Sequence, residues 1–509
     1  MGSTAASRLL GFVRIAVVSA VFGGSGEADV LNLVFNIPNN LRKLMAEGAL
    51  SSAFIPVLSG AIVTDASGDS SRRIVRAILG FQFVVLVPFL LVSVFFAQPI
   101  VDIVLNFPDP DKQAMAGELY RWLIHYLLLI SVSAVLMGTA NSHGKFLIPA
   151  VTPILFSVAV VASITILYRR LGIYSMAVGV LVGGMAQVLF QLPEFRALGY
   201  GFRLSLRFNN PEFRTVMRRW LPVVATSLVY IVNQQVALNF ASGLEDGSGS
   251  AVTNALTFWQ LPFGIFSASI TTVLFPRMSR QFAVKDLDGA RESVRYGFRY
   301  LIALLVPSGA LMALLSHEIV AVALQRGEFT VTNTAMTGPV LIAYSAGLLS
   351  AGAFAFFQRF FYSQGNFRVP LIAACLAFVV DISFALWLKE TRLRVVGIAA
   401  ANSISFTVGL VYLYSTASRS IGKIGLVEIL PTIGKVTLSL APTVTWILGF
   451  RALTGEWWRE GSTLGNFAHL CVVGLGAIGI LASMYYLLRM DIVDVIRRKK
   501  SWKDTGKDK

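Results

Sequence analysis

Charge is scarce in this chain of 509 residues: Asp, Glu, Lys and Arg together make up 14% of it, against about a quarter in a soluble globular domain. With 55% hydrophobic residues and a mean hydropathy of +0.69, too little polar surface remains to cover a water-soluble body, which excludes an ordinary cytosolic enzyme. Cysteine is nearly absent. Cys375 and Cys471 both lie in apolar runs, so neither a disulfide framework nor a thiolate metal site is supported. The four histidines, His125, His143, His317 and His469, lack metal-ligand spacing, and neither a metal nor a cofactor is expected. No G-x-x-x-x-G-K-[ST] loop occurs, which argues against a built-in ATPase. No connection between apolar runs is long enough to hold a catalytic constellation comfortably, so the chain reads as a transporter and not an enzyme.

What the sequence does contain is fourteen apolar runs, from 5–24 to 464–488, each long enough for a crossing of roughly 20 residues. The expected fold is an all-α polytopic membrane protein. Residues 9–22, with Arg8 before them and Val18-Ser19-Ala20 near their end, have features of a signal peptide. Arg14 interrupts the stretch, so it is read as the first span. The second run, 30–62, contains Pro38, where a bent or broken helix is expected.

The formal net charge of +16 follows topology. With a cytoplasmic N-terminus, the connections after even-numbered runs and the C-terminal tail carry 28 of the 43 Lys and Arg, and the outer connections carry 9. That asymmetry places both termini in the cytoplasm and assigns the excess to the inner leaflet, not to nucleic acid. Six cations remain within or at the ends of apolar runs: Arg8, Arg14, Arg42, Lys43, Arg121 and Lys435.

The chain also repeats itself. Ser142-His143-Gly144-Lys145-Phe146-Leu147-Ile148-Pro149 returns as Ser363-Gln364-Gly365-Asn366-Phe367-Arg368-Val369-Pro370, a displacement of 221. Weaker echoes at 219 and 220 pair Pro56 and Ser59 with Pro276 and Ser279, and Val75-Arg76 with Val294-Arg295. Two six-helix repeats of equal orientation result, the parallel arrangement of a secondary transporter. The expected divisions are 1–195 for the N-terminal lobe, 213–418 for the C-terminal lobe, 427–488 for two appended helices, and 489–509 for a basic cytoplasmic tail.

An ionisable side chain at mid-depth costs at least roughly 2.5 to 3.5 kcal/mol and usually faces a cavity. The first two runs hold Arg8, Arg14, Arg42 and Lys43 against Asp29 and Glu47. This surplus of cations calls for an anionic ligand, and the planar guanidinium suits phosphate oxygens. Lys43, beside Arg42, points elsewhere on a helix and is expected at the interface. Asp381 is the one carboxylate near the middle of a late span, a place for a sodium ion, a proton or a buried polar pair. Asn233, Gln234, Gln235 and Asn239 make the seventh helix polar, either to line a cavity or to join helices.

The stretches Ser7-Arg8-Leu9-Leu10-Gly11-Phe12-Val13-Arg14, Phe22-Gly23, Ala28-Asp29 and Pro38-Asn39-Asn40-Leu41-Arg42-Lys43 through Ala53-Phe54-Ile55-Pro56 closely resemble the start of the MurJ/MviN lipid II flippases. These belong to the multidrug/oligosaccharidyl-lipid/polysaccharide exporter superfamily. The resemblance extends over essentially the whole chain. It implies a flippase that moves lipid II, or a related anionic polyprenyl-diphosphate glycolipid, across the bacterial cytoplasmic membrane by alternating access. Arg8, Arg14 and Arg42 would engage the headgroup, with Asp29 a functional acid nearby and the two appended helices forming a groove for the lipid tail. Membrane lipids are the other partners and a monomer is expected. Alternatives are a flippase for another polyprenyl-linked glycan, or a multidrug exporter of the same superfamily.

Two departures from the family pattern stand out. Where the family commonly has Ala-Asp-Arg-Leu ahead of a proline, this chain has Ala255-Leu256-Thr257-Phe258 and then Pro262, so Thr257 takes the place of a cavity arginine. An aspartate linked in some members to sodium aligns with Ala237, leaving Asp381 alone from that site; coupling to a sodium or proton gradient, or to the membrane potential, rests on it.

The topology is checked by membrane-impermeant labelling in a background without Cys375 and Cys471. A cysteine near residue 247 should label from outside and one near residue 288 only after the membrane is opened; the reverse pattern would invert the topology.

Overall fold

Every regular element among the described residues is helical, as expected of a chain that satisfies its own backbone hydrogen bonds inside hydrocarbon. The computed structural model describes residues 2–45, 49–65, 67–422 and 424–492. Eleven helical stretches are long and apolar enough to cross a membrane, and a pair bent by 45° within 331–363 makes a twelfth. Leu10–Phe22 and Ala53–Thr64 add two shorter apolar helices. The set is consistent with fourteen spans.

The chain divides into two compact units, Met1–Ser250 with Arg326–Thr330, and Ala251–Gln325 with Val331–Lys509. The first contains α1 (Gly2–Phe22), α2 (Glu27–Met45), α3 (Ala49–Thr64), α4 (Asp69–Phe95), α5 (Ala97–Val104), α6 (Pro110–Leu123), α7 (Tyr126–Ser142), α8 (Leu147–Leu171), α9 (Tyr174–Ala197) and α10 (Pro211–Ser242). An apolar cluster among its described residues gathers Phe54 and Leu58 of α3, Ile74 and Ile78 of α4, Val135 of α7, Phe195 of α9 and Trp220 of α10. Residues 211–242, which open the second repeat in sequence, therefore pack in the first unit, against α2, α3, α4 and α5. Close approach of α8 and α9 depends on Gly179 and Gly183. A Cβ on Gly179 would lie 2.9 Å from Val160 Cα, and one on Gly183 would lie 2.9 Å from the Phe156 ring.

The second unit holds most of α11 (Ser248–Pro262), a π-helical turn at Phe263–Ser267, α12 (Ala268–Ala283), α13 (Leu287–Leu314), α14 (Ser316–Leu324), α15 (Val331–Ala346), α16 (Leu348–Ser363), α17 (Arg368–Leu388), α18 (Arg394–Ile421), α19 (Leu426–Thr454), α20 (Trp457–Glu460) and α21 (Thr463–Leu487). The buried phenylalanines 356, 357, 360 and 361 pack α16 on its neighbours, with Phe298 and Tyr414 against Phe357.

The repeat is visible in backbone detail. The long helix α4, short α5, α6 broken from α7, then α8 and α9, recur in order as α13 to α18. The motif that announced it makes the same turn twice. Gly144 and Gly365 take φ of +73° and +71°, a left-handed geometry natural to glycine. The next amides, of Lys145 and Asn366, bond back to Ala140 O at 2.9 Å and Phe361 O at 3.0 Å. Pro38, where a bent or broken helix is expected, lies inside α2 without interrupting it.

The appended helix α19 is tied at both ends. Arg291, Arg295 and Arg299 recur every four residues and so share one face of α13. Their Nε groups donate to Ile421 O (2.8 Å), Ile424 O (3.2 Å) and Thr432 Oγ1 (2.9 Å), and Arg295 and Arg299 also pair with Glu428 and Asp491. At the other end Arg451 Nε donates to Glu318 Oε1 at 3.1 Å, where Glu318 is 2% exposed.

His143 and Gln364 occupy equivalent positions of the repeated turn. His143 Nε2 lies 2.9 Å from the Tyr200 hydroxyl, and burial holds its imidazole below the ordinary histidine value of 6.5. The unfolded chain then binds more protons than the folded one as pH falls through about 6.5, so this contribution to stability is present above that pH and lost below it. The thermal midpoint should fall between pH 7.5 and 5.5. His143→Gln, the residue the other repeat uses, should reduce that fall with little change at pH 8; an identical pH profile would remove His143 as its source.

Candidate functional site

The cations predicted from the sequence lie along the α1–α2 hairpin. Measured from the turn between the helices at 1.5 Å per residue, Arg8 and Arg42 sit at a similar level, roughly 21 Å away, and Arg14 at about 12 Å. Arg8 is on α1, with its side chain outside the described residues. The Arg14 guanidinium lies over the Phe156 ring, 5.1 Å from its centroid, and that ring packs on Tyr126. A cation on an aromatic face retains its charge for another ligand. Arg42 Nε donates to Asn39 Oδ1 at 3.2 Å.

Lys43, expected at the interface, has partners on two helices. Its Nζ donates to Asn40 Oδ1 at 2.9 Å and to Gln234 Oε1 at 3.1 Å, and it lies over the Tyr230 ring. The preceding turn of α2 and Gln234 of α10 hold it between the two helices. Asn239 of that face donates to Ile103 O at 3.3 Å, so at these positions the polarity of α10 joins helices.

Asp29 is at the opposite end of the hairpin from Arg42, roughly 20 Å along α2, and is not its counterion. It is 3% exposed. Its carboxylate accepts from Ser250 N at 2.5 Å and Gly247 N at 3.3 Å, an anion meeting free amides where α11 begins. Two further contacts hold the same connection. Asn32 Nδ2 donates to Ser250 Oγ at 2.9 Å, and Asp246 accepts from Gly26 N at 2.9 Å and pairs with Lys112 at 2.7 Å. A Cβ on Gly249 would fall 2.4 Å from Leu33 Cδ1, so the approach requires glycine. The acid followed by Gly247-Ser248-Gly249-Ser250 was the available sequence signal for this anchor.

In the second unit, the Thr257 hydroxyl turns back to Thr253 O at 3.0 Å within its own helix. Two buried donors nearby on α11, Asn254 Nδ2 and Trp259 Nε1, have no acceptor among the described residues. Asp381 on α17 is 4% exposed and accepts from Asn402 Nδ2 on α18 at 3.0 Å. The carboxylate and the amide oxygen are hard ligands of the kind sodium takes, and a carboxylate can equally hold a proton. Among the described residues no group of three or more His, Cys, Asp or Glu converges as a metal site.

The family model described as "Lipid II flippase MurJ" matches residues 18–468 of this chain. A protein of Borreliella burgdorferi named probable lipid II flippase MurJ is 32% identical over 489 residues, covering 96% of this chain and 95% of its own. A protein of the same name from Vibrio cholerae is 30% identical, covering 81% and 80%. Among solved structures, a lipid II flippase MurJ in an inward closed conformation aligns with a TM-score of 0.78 at 23% identity, over 96% of this chain and 98% of its own. An inward-facing multidrug-resistance MATE transporter of the MOP superfamily aligns at 0.69 and 14% identity, over 82% and 95%. At those identities the structures speak to fold alone. The family model and the Borreliella relative go further: this chain belongs to the MurJ lipid II flippase family.

Proposed function

We propose that the chain carries lipid II from the inner to the outer leaflet of a bacterial cytoplasmic membrane, by alternating access and with both termini in the cytoplasm. The observation that carries this reading is the charge imbalance of the α1–α2 hairpin. Four cations stand there against Glu27 and Asp29, with Glu47 just beyond α2, and Asp29 is committed to backbone amides at the far end. Glu27 and Asp29 both open α2, at the end opposite Arg42 and Lys43, so the cations at that end have at most Glu47 nearby in sequence. A diphosphate supplies the negative charge that such a site lacks, and it matches the planar arginine fork. A drug exporter that takes cations would need the opposite sign.

In this reading Arg8, Arg14 and Arg42 hold the headgroup, and Lys43 sets the distance between α2 and α10. Thr257, already bonded to its own helix, replaces a fixed charge with a weak contact; Asn254 and Trp259 are the better donors on α11. The grip is therefore biased toward residues before 250. Helices α19 and α21, packed on each other, take the polyprenyl tail. The protein acts as a monomer and transforms no bond.

The direct test is depletion in the native host with leaflet-resolved measurement of lipid II, which should accumulate on the cytoplasmic side. In reconstituted vesicles, Arg14→Ala and Arg42→Ala should each lower flipping by about tenfold or more, since a charge-assisted contact contributes about 1.5 to 3 kcal/mol. Both variants should remain folded and inserted. Unchanged flipping in both would make the cationic cluster structural.

Asp381 is assigned the coupling ion or proton. Asp381→Asn should retain headgroup binding while flipping loses its response to an imposed sodium or proton gradient. A wild-type protein indifferent to both gradients would reduce Asp381 to a buried polar contact with Asn402.

A further inference from the structure

Arg121 is a cation that the transport reading leaves without a role. It lies on α6 one turn after Glu118. With Trp122, Leu171, Tyr174 and Val178, these two residues line an open cavity of about 530 Å³ on the first unit, formed by the end of α6, the end of α8 and the start of α9. An acid and a base three residues apart on a helix are natural partners, yet these two do not pair. The Tyr174 hydroxyl donates to the Glu118 carboxylate, fixing α6 on α9, while Arg121 has no hydrogen-bond or ion-pair partner among the described residues.

The position of the cavity along the helices narrows what it can hold. Leu171 closes α8 immediately after Arg169 and Arg170, and Tyr174 opens α9. The apolar lengths of both helices extend away from this end, so the cavity sits where spans meet headgroups. Trp122 is 51% exposed there, and together with Tyr174 it provides the amphipathic rings that favour that depth. Leu171 and Val178 add apolar lining beside the two opposite charges.

We propose that this cavity binds a glycerophospholipid with a zwitterionic phosphoethanolamine headgroup. Arg121 takes the phosphate, Glu118 the ammonium, and Leu171 and Val178 the start of an acyl chain. Phosphate and ammonium in that headgroup are two carbons apart, a separation of the same order as that between neighbouring side chains at i and i+3. A purely anionic lipid would satisfy Arg121 but place negative charge against Glu118. None of the α1–α2 cations lines this cavity, and the proposal does not depend on what the protein transports.

The experiment is native mass spectrometry of the purified full-length protein with equal amounts of phosphatidylethanolamine and phosphatidylglycerol bearing identical acyl chains. The wild type should retain phosphatidylethanolamine over phosphatidylglycerol by about fivefold, a ratio that one modest polar contact can produce. Arg121→Gln and Glu118→Gln should each bring the ratio close to one. Glu118→Gln still offers the Tyr174 hydroxyl an acceptor, and thermal melting confirms that both variants are folded. Phe95→Ala, at a lipid-facing position 79% exposed, should leave the preference intact. Water-soluble glycerophosphoethanolamine should not displace the bound lipid. Equal retention or a phosphatidylglycerol preference in the wild type, an unchanged ratio in both charge variants, loss of preference in Phe95→Ala, or displacement by the soluble headgroup would each overturn the proposal.

Discussion

An arginine surrounded by hydrocarbon has to be compensated by whatever lies within reach of its side chain, because it does not surrender its proton. Much of the first unit can be understood as the response to that constraint. Arg14 is met by the face of Phe156 and Arg42 by an amide one turn earlier on its own helix. Lys43 is drawn into the polar side of α10. An acid of the same hairpin is handled differently: Asp29 is held by backbone amides of the α10–α11 connection, which leaves the cationic end of the hairpin without its help. The two ends of one helical hairpin thus become chemically distinct, one an acid held by backbone amides and the other cationic.

The parts of the structure that were legible in the sequence are those dictated by backbone rules or by long-range composition. The fourteen apolar runs were readable because hydrocarbon thickness fixes their length. The repeat was readable because a helix ending in a left-handed residue favours glycine, so Gly144 and Gly365 marked the same turn twice. Positions decided by side-chain reach were not. Lys43 was assigned to the interface because nothing in the sequence announces that Gln234, almost two hundred residues later, lies 3.1 Å away. Pro38 implies a bent or broken helix, and α2 continues through it. Asp29 is close to the arginines in sequence, although thirteen residues of helix, roughly 20 Å, separate it from Arg42.

Sequence similarity and packing also divide the chain at different places. Residues 211–242 begin the second repeat by position, yet they pack within the first unit and bind it through Lys43 and Ile103. A duplicated gene fixes the order of helices; the contacts each helix makes depend on where its polar groups find partners.

The arginine ladder on α13 has a consequence for how the molecule is made. Arg291, Arg295 and Arg299 leave the ribosome well before any of their partners in the α18–α19 elbow and beyond. Those partners then arrive in chain order: Ile421 and Ile424 first, Glu428 and Thr432 next, Asp491 last. Each contact formed shortens the search for the one that follows, as a zip fastener closes from its first tooth. The final helices therefore join a surface already registered to receive them, and a chain cut short before residue 421 would present three guanidinium groups with none of these partners.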